Sequence, residues 1–170
     1  MGGQGMATAQ ELQQRIDEVN RRMEAACARV GRVCSEVRVL PVSKTYGPDQ
    51  VRAVSECGFR IFGENRVQEA RQKISLCPDH LEWHMIGHLQ SNKVRDAVRC
   101  FQMIHAVDST RLLGLIDAAC REAGRTIPVC LEVNVSGEGT KFGLAPDDVA
   151  GVLEAANRFF HVQVVGLMTI

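Results

Sequence analysis

Pro128-Val129-Cys130-Leu131-Glu132-Val133-Asn134-Val135-Ser136 has the composition of a β-strand and two unlike faces. Side chains alternate along a strand. Val129, Leu131, Val133 and Val135 therefore share one face, and Cys130, Glu132, Asn134 and Ser136 share the other. In an open parallel sheet covered by helices on both sides, strands are apolar on both faces. A (β/α) barrel packs side chains inside and carries polar ones toward the end where sites are built. The polar half of this strand favours the barrel. A second strand agrees: in Val37-Arg38-Val39-Leu40-Pro41-Val42-Ser43-Lys44, Leu40, Val42 and Lys44 share a face and the lysine stands last.

Outward from these two segments, strand and helix patterns alternate. Leu12, Ile16, Val19, Met23 and Val30 mark an amphipathic helix over about 11–30, closed by Gly31. After the 37–44 strand, Pro48 opens a helix that Cys57-Gly58 ends. Strands follow at 59–63, 82–89, 101–107, 128–136 and 162–168, with helices expected at 64–75, 91–100, 112–123 and 146–157. Six strands separated by helices and short loops predict a parallel α/β sheet. No G-x-G-x-x-G follows the first strand, which counts against a dinucleotide-binding sheet. A complete eightfold barrel takes about 250 residues. The 170 residues read as about six of its eight units, incomplete at the C-terminus, with 11–170 as one domain and 1–10 as a disordered tail.

Composition narrows the function. Twenty Lys+Arg balance twenty Asp+Glu, so there is no basic excess for nucleic acid. Aromatic residues at 5% offer little for base stacking. No apolar run approaches the roughly 20 residues that cross a bilayer, and the N-terminus lacks a signal-type apolar segment. A cytoplasmic location is expected. The seven cysteines are odd in number and form no C-x-x-C pair, so they read as small buried hydrophobes rather than metal ligands or disulfides.

Four places could carry chemistry. Lys44, at the C-terminal end of the first strand, could form a Schiff base if desolvated, or could simply reach water. Asn65, in Gly63-Glu64-Asn65, could bond a ligand oxygen or cap the next helix. His84 and His88 have the i, i+4 spacing of a helical zinc pair. On a strand they would lie roughly 13 Å apart, so an inward histidine and a rim hydrogen-bonder are expected instead. Ser136-Gly137-Glu138-Gly139-Thr140-Lys141-Phe142-Gly143 lacks the P-loop pattern but suits a lid or a close ligand approach.

Taken in order, Val42-Ser43-Lys44-Thr45, Phe62-Gly63-Glu64-Asn65 with Gln68-Glu69, Trp83 through Lys93 (WHMIGHLQSNK), Val107-Asp108-Ser109, Glu132-Val133-Asn134, Lys141-x-Gly143 and Val165-Gly166-Leu167-Met168-Thr169 resemble the pyridoxal phosphate homeostasis proteins, also called the YggS or PROSC family. The resemblance covers about residues 10–170. It implies a TIM-type barrel of the alanine-racemase N-terminal-domain type with an extra N-terminal helix. It implies pyridoxal 5′-phosphate (PLP) as cofactor, held as a Schiff base on Lys44, with Asn65, His88 and Met168 around it. The implied role is intracellular PLP homeostasis without established turnover. PLP-dependent apo-enzymes are the implied partners, and the chain is implied to be a monomer that an open barrel could drive to self-associate.

The alternative is a PLP-dependent racemase-like enzyme on the same barrel. Two-base racemisation needs a second acid/base opposite the lysine, and Tyr46 is the one tyrosine of the chain. Family members continue for about two further units that hold much of the phosphate cradle. The expectation is therefore weak PLP binding by the 170 residues alone.

Overall fold

The structure is a computed structural model and describes Thr8–Ile170. Most of the expected 1–10 tail thus lies outside the described residues. Helix α1 (Ala9–Arg29) opens two residues earlier than its apolar period suggests, because Thr8 caps it. The Thr8 hydroxyl accepts the Glu11 N–H while the Glu11 carboxylate accepts the Thr8 N–H, a capping box. Gly31, at φ +67°, ends the helix, and the Arg32 N–H reaches back to Cys27 O at 3.0 Å.

Five parallel strands follow: β1 (Ile61–Glu64), β2 (Glu82–Met85), β3 (Met103–Val107), β4 (Ile127–Glu132) and β5 (Val162–Met168). Their order in the sheet is their order in the chain. Helices α2 (Pro48–Glu56), α3 (Val67–Ile74), α4 (Val94–Cys100), α5 (Thr110–Glu122) and α6 (Val149–Ala156) alternate with them. A doubly wound sheet reverses its order at a switch point. This one does not.

The core makes the same distinction. Phe62, Trp83, Met85, Ile104, Val129 and Leu131 cluster with Val51, Val67, Ala70, Val94, Leu112 and Ile116 from the helices. The alternate strand residues Gly63, His84, His105 and Cys130 stand outside that cluster. Helices therefore cover one face of the sheet, and the other faces inward, as in a barrel wall.

The expected strand at 37–44 is extended but reduced to a single bridge, Val42 with Gly63. Ser43 N–H donates to Gly63 O at 3.0 Å and Gly63 N–H to Pro41 O at 2.8 Å. Pro41 has no N–H to extend that ladder. The segment still stands beside β1 as a sixth, edge position of the wall. Glu64, expected to open a helix, instead closes β1, and α3 begins at Val67. β4 ends at Glu132 rather than Ser136, because the chain turns away to bring Leu144 against Val133.

Candidate functional site

Because every strand is parallel, all C-terminal ends lie along one edge. Lys44 follows the Val42 bridge, Asn65 follows β1, His88 lies beyond β2, Asp108 follows β3, Glu132 ends β4 and Met168 ends β5. That edge is where barrel enzymes build their sites. Of the residues singled out in the sequence, Lys44, Asn65, His88 and Met168 fall on it, and His84 lies one layer below.

Lys44 is exposed. Residues paired across parallel strands share a face, so Val42 faces inward with Gly63; a Cβ on Gly63 would sit 3.5 Å from Leu40 Cδ2. Lys44 follows in the turn that the Tyr46 N–H closes on Ser43 O at 3.1 Å, so the strand alternation that orients Leu40 and Val42 stops before it. Its neighbours are held from the helix side. The Ser43 hydroxyl donates to Glu64 Oε1 at 2.6 Å, and Lys73 Nζ donates to Ser43 O at 2.6 Å. The Thr45 N–H donates to Glu69 Oε1 at 2.8 Å, and Thr45 is the one non-glycine residue of positive φ, +69°, among those described. That conformation costs about 1–2 kcal/mol for an L-residue. Burial pushes the Glu69 carboxyl up, but the Thr45 N–H and Lys73 outweigh it and hold it below the usual carboxylate range.

Asn65 does not cap α3; Arg66 occupies the N-cap and makes no side-chain cap bond. Asn65 packs instead on Gly87. A Cβ there would fall 2.4 Å from Asn65 Oδ1 and 2.5 Å from its carbonyl oxygen, so only glycine fits. Next along the edge, His88 Nδ1 stands 3.4 Å from Asp108 Oδ2, and the Phe142 ring stacks on the imidazole with centroids 3.7 Å apart and planes 12° from parallel. Phe142 belongs to the glycine-rich loop, and the Asn134 side chain organises that loop by accepting the Gly137 N–H at 3.0 Å.

Glu132 is 8% exposed, and its Oε2 has no hydrogen-bond partner. Burial pushes its carboxyl above the usual carboxylate range, Asp108 adds to that, and His88 partly offsets it. Met168 joins this face through an irregularity in β5. Val129 pairs with Val164, but Cys130 pairs with Gly166 and Glu132 with Met168. The extra residue of the bulge reverses the parity of β5. A Cβ on Gly166 would lie 3.8 Å from Cys130 Sγ, as the shared face requires.

One layer below the edge, His84 Nδ1 and His105 Nε2 approach to 3.0 Å. Burial, and then the facing His105, push His84 down to about 4; burial lowers His105 as well. β2 ends at Met85 rather than at Leu89, so His84 lies in the strand and His88 in the loop beyond it, and the strand spacing expected for the pair does not apply.

His105, the His88–Asp108 contact, the Phe142 stack and Lys73 were not marked in the sequence. Each arises from pairing across strands or from a loop folding back. The polar period of 130–136 was the one local signal, and it did point at Glu132.

The model of the alanine racemase N-terminal domain matches residues 16–170. The pyridoxal phosphate homeostasis protein of Aquifex aeolicus is 38% identical over 92% of this chain and 69% of its own length. That of Pseudomonas aeruginosa is 39% identical, over 94% and 70%. Among solved structures, PipY of Synechococcus elongatus PCC7942 with PLP bound superposes with a TM-score of 0.74 at 37% identity, covering 87% of this chain and 69% of that one. The chain thus spans about 70% of the length of these bacterial relatives. The sequential parallel wall, the strand-end lysine and identity at this level over nearly every described residue converge, and the chain belongs to the family of pyridoxal phosphate homeostasis proteins.

Proposed function

We propose that the chain binds PLP covalently through Lys44 and serves intracellular PLP homeostasis without turnover of its own. The observation that carries this is the place of Lys44: an exposed primary amine in the turn that follows the Val42 bridge, at the strand-end edge, in a chain 37% identical to a relative solved with PLP bound. Lys44 would hold PLP through its aldehyde, with water as the leaving group. When bound, PLP supplies an electron-withdrawing ring.

The other residues along this edge suit such a guest, although Met168, on β5, stands at the far end of the wall from Lys44. Asn65 brings an amide held against Gly87, His88 an imidazole set by Asp108 and Phe142, and Met168 an adaptable thioether. Tyr46 cannot stand opposite the lysine as a second acid/base: it lies in the same turn, its N–H on Ser43 O at 3.1 Å. This supports a holding role over racemisation. Among the described residues no helix is long and apolar enough to cross a membrane, and a cytoplasmic place, with delivery to PLP-dependent apo-enzymes, belongs to the same proposal.

The test is absorption and borohydride trapping with PLP. The chain should develop a Schiff-base band and a reducible adduct that maps to Lys44, and Lys44→Ala should lose both. An adduct of equal yield in Lys44→Ala would refute the assignment.

A further inference from the structure

We infer that Glu69 and Lys73 of α3 are positioning residues that set the direction of Lys44 by holding the two peptide groups on either side of its Cα. The inference rests on the reading of Lys44 above. The peptide before Lys44 presents Ser43 O, which accepts from Lys73 Nζ at 2.6 Å and from the Tyr46 N–H at 3.1 Å. The peptide after it presents the Thr45 N–H, which donates to Glu69 Oε1 at 2.8 Å. Lys73 Nζ also reaches Glu69 Oε1 at 3.3 Å, so one α3 network grips both peptides. Its root is buried: Lys73 is 5% exposed and pairs with Glu64, which also holds the Ser43 hydroxyl.

The grip does work, because Thr45 sits at φ +69°, a conformation a threonine does not choose. Without the Glu69 anchor, Thr45 relaxes and the Cα–Cβ direction of Lys44 turns with it. A four-carbon amine has many rotamers, and fixing its root removes the largest sweep of the tip. Nothing in this arrangement touches the reacting atoms. The network acts through the backbone of Lys44.

Glu69 is the residue to change, since it is one-third exposed and Lys73 keeps Glu64 without it. Two readouts apply to the 170-residue chain. In the absence of PLP, hydrogen exchange at the Thr45 N–H should accelerate at least about ten-fold in Glu69→Ala, as expected for a freed amide. With PLP, the rate of adduct formation at Lys44 should fall about ten- to a hundred-fold. Glu69→Gln keeps an oxygen to accept the Thr45 N–H and should restore most of both, which a general loss of stability would not allow.

Unchanged Thr45 exchange and an unchanged adduct rate in Glu69→Ala would overturn the inference. So would a slower rate that follows the melting temperature and is not rescued by glutamine. If the unsubstituted chain yields no adduct at Lys44 even with PLP in large excess, enough to saturate weak binding, the functional reading falls and this inference with it. If that adduct forms and only the Glu69 effects are missing, this inference alone fails.

Discussion

Glu64 and Glu132 are both buried glutamates that end parallel strands, and their surroundings are opposite. Glu64 ends β1 on the helix side and is 0% exposed; one oxygen takes the Ser43 hydroxyl and Lys73. Glu132 ends β4 on the inward side and is 8% exposed; the ionisable groups that act on it are Asp108, which raises its pKa, and His88, which lowers it. Each has an Oε2 without a hydrogen-bond partner. The difference is therefore the cation. A carboxylate the fold uses for its own geometry has a lysine built in beside it. The carboxylate at the edge has only a histidine, and its proton is held more tightly than usual. Burial alone would not have separated structure from function here. The sign of the neighbours does.

The largest expected effect comes from breaking the first environment. Lys73→Met fills a similar volume and leaves Glu64 buried with no cation. Removing one partner of a buried pair costs about 3–5 kcal/mol. That is a large share of the 5–15 kcal/mol a domain of this size holds. Urea unfolding should show the loss directly. The double variant Glu64→Leu/Lys73→Met should recover much of it, because no orphaned charge remains. A single variant that loses less than about 1 kcal/mol would put the pair in the class of solvated surface bridges and dissolve the comparison.

Glu132 was legible for a simple reason: a strand has period two, and six residues suffice to show it. The same rule oriented Leu40 and Val42, but Lys44 stands in the turn after them, where it no longer applies. Glu64 was not legible, because charged residues beside Asn65 look like a helix entry, and its partner Lys73 lies nine positions on, beyond the βα turn. Met168 shows the limit of parity. Counted from Val162, it would share the helix-side face, and only the bulge that pairs Cys130 with Gly166 turns it inward. The resemblance to a family named Met168; the period alone did not. The His88–Asp108 and His88–Phe142 contacts join segments 20 and 54 residues apart in number, and no local pattern encodes them. The sheet order was legible in outline, since alternating units with short loops favour sequential neighbours.

Glu132→Gln sharpens the second environment, with a smaller effect of opposite sign. The folded-state carboxyl lies above its ordinary value of 4.5. Below that value both states are protonated and Glu132 contributes nothing to pH dependence. As pH rises from 4.5 toward the raised folded value, the unfolded chain gives up a proton that the folded chain keeps, so stability falls. Above the window the loss is complete. Glutamine cannot ionise, so the variant should be more stable than the parent at neutral pH by roughly 1 kcal/mol, the scale of an uncompensated buried polar group. The gain should vanish below the window. Asp108 and His88 interact with the same carboxylate, so the difference between the two pH profiles reports Glu132 together with its coupling to them. A glutamine variant that is less stable at neutral pH would mean that the charge at position 132 is compensated after all.

Phe142→Ala is expected to have the smallest effect and the most local one. The ring is 55% exposed, so its removal forfeits little burial. Its contact is the stack on His88 at 3.7 Å, and aromatic pairs of this kind are worth about 0.5–1.5 kcal/mol beyond area. Exposure puts this one at the low end, so thermal unfolding should barely move. The readable consequence is magnetic. A ring 12° from parallel shields the imidazole protons beneath it, so the His88 Cε1–H and Cδ2–H resonances should move downfield when Phe142 is lost. Phe142→Leu, which keeps an apolar cover but no ring current, should give the same shift and separate stacking from simple shielding by bulk. The His84 and His105 resonances, one layer deeper and paired with each other at 3.0 Å, should stay where they are. If the His88 resonances do not move, the loop does not lie over the histidine in solution. The inward edge would then be open above Glu132, and its carboxyl should titrate closer to 4.5 than its buried surroundings imply.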